Sequence, residues 1–171
     1  QVRIDYRPLR DGLQLIPKVG MRMRIPAEYS QVSWYGRGPH ENYPDRKSGY
    51  FIGQYSMPLD EFIFDYASPQ DNANRCDTRW FSLGNGSRDI EIHGLQELNF
   101  RAWPYGEEDL EGSAHPFDIP ARDFINVNID LNIHGVGCND GWGARTLDKY
   151  TIDANKPYAY SFIISCEDMQ K

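Results

Sequence analysis

Ile125-Asn126-Val127-Asn128-Ile129-Asp130-Leu131-Asn132-Ile133-His134 alternates an apolar residue with a polar one, five times in succession. A strand turns successive side chains to opposite faces, so this period of two, rich in β-branched residues, describes a half-buried antiparallel strand. The pattern recurs outward from that stretch. Val19, Met21, Met23 and Ile25 alternate with Lys18, Arg22 and Arg24, and Tyr158, Tyr160, Phe162 and Ile164 do the same near the C-terminus. Gln1 to Tyr6 also alternates, which reads as a strand and not as a signal peptide. Thr78–Leu83 and Asp89–His93 are two further runs, joined by Gly84-Asn85-Gly86-Ser87. Asn-Gly supplies the positive φ angles of a tight hairpin turn, so this is the strongest local hairpin signal in the chain.

Helix signals are scarce. Glu107 to Glu111, after Pro104 and before Gly112, predicts one or two helical turns, while Leu59 to Phe64 reads as loop or short strand. Eleven prolines and 15 glycines are spread along the chain and mark no linker. There is no internal repeat and no composition shift. The expectation is an all-β antiparallel β-sandwich, with residues 1–171 as one unit.

The bulk numbers narrow the function classes. A chain of 171 residues buries roughly 70% of its unfolded surface and can support a core without metal or disulfide staples. A balance of 18 basic against 25 acidic residues, net −7, disfavours nucleic acid as a partner, since phosphate binding needs a basic face. The longest strongly apolar run, Tyr158 to Cys166, is far short of the ~20 residues that span a bilayer. No membrane partner is expected. Cys76, Cys138 and Cys166 are too widely spaced for a zinc site and are expected as buried small hydrophobes, which leaves the cellular compartment open.

Two loops carry the distinctive residues. Trp34-Tyr35-Gly36-Arg37-Gly38-Pro39-His40-Glu41-Asn42-Tyr43-Pro44-Asp45-Arg46 is one; Gly135-Val136-Gly137-Cys138-Asn139-Asp140-Gly141-Trp142-Gly143 is the other. The first, followed by Pro69-Gln70-Asp71-Asn72 and Asn74-Arg75-Cys76-Asp77-Thr78-Arg79-Trp80, resembles the C-terminal domain of family 2 β-galactosidases, the large enzymes that hydrolyse lactose. Ile16-Pro17-Lys18-Val19-Gly20-Met21 upstream and the Trp142 loop downstream fall in the expected order. The resemblance runs from about Val2 to about Cys166.

The resemblance implies a galactose-mutarotase-like supersandwich, of which this chain would be the C-terminal part, placed last in a multidomain enzyme. It implies that the acid/base and nucleophile glutamates sit in a catalytic barrel outside this chain. Matched position by position, the loop tryptophan that the last domain lends to the sugar site is Trp142, with Asn139 and Asp140 beside it as substrate-binding residues. Gly38, His40, Glu41, Asn42, Asp45 and Arg46 would form a rim loop flanking the same pocket. The implied partners are a galactoside, the barrel and other subunits. No cofactor is expected in this chain, any Mg or Na of such enzymes belonging to other domains. A cut through the supersandwich would leave strand edges and apolar surface exposed.

The residues themselves agree that no hydrolytic pair is present. A retaining glycosidase needs two carboxyls about 5–5.5 Å apart, one with a raised pKa. Glu107, Glu108, Asp109 and Glu111 read as a solvated face, and Glu41 and Asp45 as braces for Arg37 or Arg46. Trp142 offers a broad ring to the C–H face of galactose and one N–H for a hydroxyl. Two alternative functions are an autonomous carbohydrate-binding module and an aldose epimerase that would use histidines among His40, His93, His115 and His134. A metal site at Asp71, Asn72, Asn74 and Asp77 lacks the calcium-loop spacing.

Overall fold

The computed structural model describes residues 1–137 and 143–168. The strands are β1 (Val2–Tyr6), β2 (Lys18–Pro26), β3 (Gln31–Gly38), β4 (Phe51–Pro58), β5 (Arg75–Gly84), β6 (Arg88–Trp103), β7 (Phe124–Ile133) and β8 (Tyr158–Asp168). Two short helices, α1 (Leu59–Phe62) and α2 (Glu107–Gly112), interrupt them. The strands form one connected antiparallel sheet ordered β1-β8-β6-β5-β3-β4, with β7 on β6 and β2 on β7. The all-β expectation holds, and the Asn-Gly hairpin is the β5–β6 turn. There the Asn85 side chain accepts the amides of Ser87 at 3.0 Å and Arg88 at 2.9 Å.

The long β6 makes this sheet a sandwich. Its first half, Arg88–Gly94, pairs with β8, whereas Asn99–Trp103 pairs with β7. At the fork the Gln96 side chain replaces the backbone ladder, donating to Ser161 O at 3.1 Å and accepting from Ser161 N at 3.2 Å. The two wings then face each other over one core. Ile125, Val127 and Ile129 of β7 belong to the same buried cluster as Val32 and Trp34 of β3, Phe81 and Leu83 of β5, and Phe162 of β8. Tyr160 of β8 closes the seam by donating its hydroxyl to Ile129 O at 2.7 Å.

Three local expectations are corrected. Leu59–Phe62 is a helical turn, because Leu59 and Phe62 both reach the core from it. The polar side of β7 is buried: Asn126, Asn128 and Asp130 are 0%, 2% and 1% exposed. α2, the segment after β6, covers that side and brings Glu107 against it. The solvated-face reading holds for Glu108 and Glu111, which are exposed, but not for Glu107, which pairs with Lys18, Arg22 and Arg101, nor for Asp109, which is buried and pairs with Arg122. Of the cysteines, Cys76 is buried and burial pushes its thiol up to about 12, Cys166 is exposed, and Cys138 lies outside the described residues. Phe51, Leu9 and Phe117 are among the exposed large apolar side chains. Among the described residues, no helix is long and apolar enough to cross a membrane.

Candidate functional site

β3 ends at Gly38, which is buried against the rings of Tyr55 and Trp34; a Cβ there would come within 2.7 Å of Tyr55. The chain then runs out as the rim loop, and its polar residues are spent holding it to the body. Asn42, fully buried, donates to Arg37 O and His40 O at 3.3 and 3.0 Å and accepts from Cys76 N at 2.8 Å. Glu41 takes hydrogen bonds from Arg46, from the Tyr66 hydroxyl and, at 2.7 Å, from Ala73 N. Tyr43, also fully buried, donates to Asp71 at 2.5 Å. Beneath the loop lies Arg75, 1% exposed, its guanidinium 4.0 Å from the Phe62 ring and 5.1 Å from that of Trp34. It donates to Pro39 O and Ala73 O at 3.0 Å and to Phe62 O at 3.3 Å. Burial lowers its pKa to about 9.

Asp45 has a different task. Its carboxylate accepts the backbone N–H of Val136 at 3.1 Å and of Gly137 at 2.7 Å. Hydrogen bonds from an N–H to an ionised acceptor are the stronger kind. On the far side of the second loop, Thr146 donates its hydroxyl to Gly135 O at 2.9 Å. The rim loop therefore grips one foot of the segment that carries Asn139, Asp140 and Trp142. Those three residues lie outside the described residues.

A cleft of about 890 Å³ opens beside these feet, lined by Leu13, Leu15, His134, Gly135, Val136, Arg145, Thr146, Asp148, Asp153 and Asn155 among others. Asn155 closes one wall, accepting from Leu13 N at 2.8 Å and donating to Leu13 O at 2.9 Å. Aliphatic patches alternating with hydroxyl, amide and charged groups suit a polyhydroxylated ligand, and the volume falls in the range of small-molecule sites. Of the cleft residues, His134 and the loop residues Gly135 and Val136 were singled out from sequence. The lining comes from four separate chain segments, and nothing local announces their meeting.

The carboxyls first weighed as catalysts are committed elsewhere. Asp109 is held at about 2 by Arg122 and by the Gly106 amide. Glu107 is lowered to about 2: burial works to raise it, but the Lys18 ammonium, the Arg101 charge and the Asn128 amide outweigh that. Asp71 pairs with Arg101, and Asp77 with Arg37 and Lys47, so their oxygens face cations and not a shared metal position. Three histidines find partners close by in sequence: His93 with Glu91 at 3.0 Å, His115 with Asp118 at 3.2 Å, and His134 with the Gly135 carbonyl at 2.6 Å.

Sequence reading missed Asp130, whose alternation suggested a solvent-facing residue. Burial pushes its carboxyl up to about 6, partly offset by the charges of Arg101 and Lys18. The native state therefore binds this proton more tightly than the unfolded chain, whose carboxylate titrates near 3.9. Asp130 thus favours the fold most below about pH 4, and that contribution, about 3 kcal/mol, is lost as pH rises through about 6. Glu107 acts oppositely, stabilising above its usual range and failing as pH falls toward about 2. Asp130→Asn should flatten the pH 4–6 limb of the stability profile and leave the acid limb in place. Urea unfolding at closely spaced pH values reads both limbs; an unchanged upper limb would show that Asp130 titrates normally.

Comparison with known proteins gives the lineage. A family model described as beta galactosidase small chain matches residues 1–164. A β-galactosidase of Priestia megaterium is 37% identical over 150 residues, covering 87% of this chain and 14% of that protein. One from Halalkalibacterium halodurans is 31% identical over 170 residues, covering 96% and 17%. Another, from Vibrio cholerae, is 36% identical over 144 residues, covering 84% and 14%. The chain thus spans 14–17% of the length of these relatives.

Proposed function

This chain belongs to the β-galactosidase small-chain family, and from that premise we propose that it is the C-terminal β-sandwich part of a multidomain β-galactosidase. Its task is to complete the galactoside pocket beside a catalytic barrel outside this chain, in an enzyme that removes terminal non-reducing β-D-galactose. The observation that supports this reading is the Asp45 grip on Val136 and Gly137. It couples the rim loop to the Trp142 loop, so two segments distant in sequence act as one wall. Trp142 supplies the ring on which the sugar stacks, and Asn139 and Asp140 offer polar groups to its hydroxyls.

In the assembled enzyme Trp142→Ala should raise KM for galactosides about five-fold, the loss of roughly 1 kcal/mol of ring contact. Unchanged kinetics would remove Trp142 from the site.

The cleft of about 890 Å³ favours a second reading, in which the chain binds carbohydrate by itself. Calorimetry of the 171-residue chain with galactose and lactose separates the two. Millimolar or tighter binding supports an autonomous module, and no heat supports a pocket completed by the barrel.

A further inference from the structure

The outer face of β3, β5, β6 and β8 carries a row of rings. Tyr35 stands directly opposite Trp80, Trp80 opposite His93, and His93 opposite Ile163. Each sits next to a fully buried residue of its own strand, Trp34, Phe81, Ile92 and Phe162, so alternation turns all four away from the core. Tyr35 is 37% and Ile163 40% exposed, the His93 side chain is 44% exposed, and Trp80 lies half-buried between them. The rings of Trp80 and His93 are 6.5 Å apart and tilted by 38°. At about 4.8 Å per strand, the row runs for roughly 15 Å across the sheet. No member of it lines the cleft beside the Asp45 grip.

Polar groups flank the row. Two residues further along the strands, Ser33 faces Ser56 on β4 and Ser82 on β5. The Ser33 and Ser56 hydroxyls share a hydrogen bond of 2.8 Å, and Gln31 donates to Ser56 at 2.9 Å. Whichever serine donates, each hydroxyl keeps a free lone pair or proton. Arg79 lies over the Tyr35 ring at 5.7 Å and pairs with Glu97 at 2.5 Å, while Glu91 pairs with His93 at 3.0 Å. These charges answer one another, so the face selects neither an anion nor a cation. The hydroxyls make it too polar for the dry centre of a protein interface. Its complement is a neutral ligand with apolar faces and hydroxyl edges. A chain of equatorially β-1,4-linked pyranoses is such a ligand, with C–H groups above and below each ring, and it advances by about one strand spacing per sugar.

We propose that this row binds a neutral glycan of equatorially β-1,4-linked pyranoses, laid across the strands with successive sugars on Tyr35, Trp80 and His93 and hydroxyls on Ser33 and Ser56. The inference does not rest on the galactoside reading and survives its failure. The test titrates the 171-residue chain with cellotetraose, with the curved α-linked maltotetraose and with the anionic tetragalacturonate. Binding is followed by NMR at the Trp80 indole N–H, identified by its loss in Trp80→Phe. Cellotetraose should give saturable shifts, half-complete on the order of 1 mM, and the other two should bind at least about tenfold more weakly. Tyr35→Ala and Trp80→Ala should each weaken binding about fivefold, read by calorimetry. Tyr35 lies outside the core, so Tyr35→Ala stands as the measure where Trp80→Ala loosens the sheet. Trp142→Ala should leave the titration as it is. No saturable shift, equal binding of maltotetraose or tetragalacturonate, or full affinity in Tyr35→Ala would each overturn the assignment. Loss of binding in Trp142→Ala would overturn it in favour of the galactoside pocket. The same signals moving with protein concentration alone would overturn it in favour of a second copy of the chain.

Discussion

Phe100→Ala should lower the unfolding free energy by about 4 kcal/mol and the melting temperature by about 12 °C. Phe100 is fully buried where the wings of the sandwich diverge, stacked on Phe81 at 4.1 Å between centroids and 5.5 Å from Phe62. Trp34 completes the cluster at 6.2 Å. Truncation removes the transfer energy of the ring and leaves a cavity whose walls are themselves fixed rings, so collapse is limited. Phe100→Leu retains most of the volume and should cost no more than about 1.5 kcal/mol. Denaturant unfolding of both variants measures the difference; equal losses would mean that the ring stack adds nothing beyond size. The consequence reaches the site, because Arg75 rests on Phe62 and Trp34 of this cluster and holds Pro39 at the root of the rim loop.

Asp45→Ala in the assembled enzyme should raise KM for galactosides about thirtyfold, more than Trp142→Ala. Two amide-to-carboxylate bonds disappear at once. Such bonds are worth about 1.5–3 kcal/mol each when buried. Here Val136 and Gly137 are half-buried, so we discount to about 2 kcal/mol in total, which is about thirtyfold in affinity. The whole foot of the Trp142 loop is released, and the fraction of molecules holding that loop ready for substrate falls with it. Asp45→Asn keeps one acceptor oxygen and should fall between wild type and Asp45→Ala. A split between binding and folding marks the positioning role: KM rises while the melting temperature moves by no more than a few degrees. Unaltered KM in both variants would detach the rim loop from substrate binding.

Much of the architecture could be read from the chain because strand alternation and the Asn85-Gly86 turn are local. Each depends on where neighbouring side chains point, and that is fixed by backbone geometry. The role proposed for Gly38 to Arg46 as a rim loop comes from the resemblance alone. Its bracing was half legible: Glu41 does pair with Arg46, whereas Asp45 turns away from both arginines toward Val136 and Gly137.

Periodicity and motif are properties of consecutive residues, so β1, β2, β7, β8, most of β5, the first half of β6, their hairpin and the family could be read from the chain. β4 and the second half of β6 gave no such signal, and β3 runs on to Gly38 through residues read as loop. Only the tertiary structure decided which polar residues are inside. Asn126, Asn128 and Asp130 look solvent-facing in the alternation of β7, and Arg75 and Arg101 look like ordinary surface cations. All five are buried because α2 and the segment around Asp71 fold over the outer face of β6 and β7, and because the rim loop closes over Arg75. Burial depends on what arrives from elsewhere in the chain, and alternation reports the two faces of a strand but not what covers each one. The depressed Glu107, the raised Asp130 and the Asp45 grip follow from that closure.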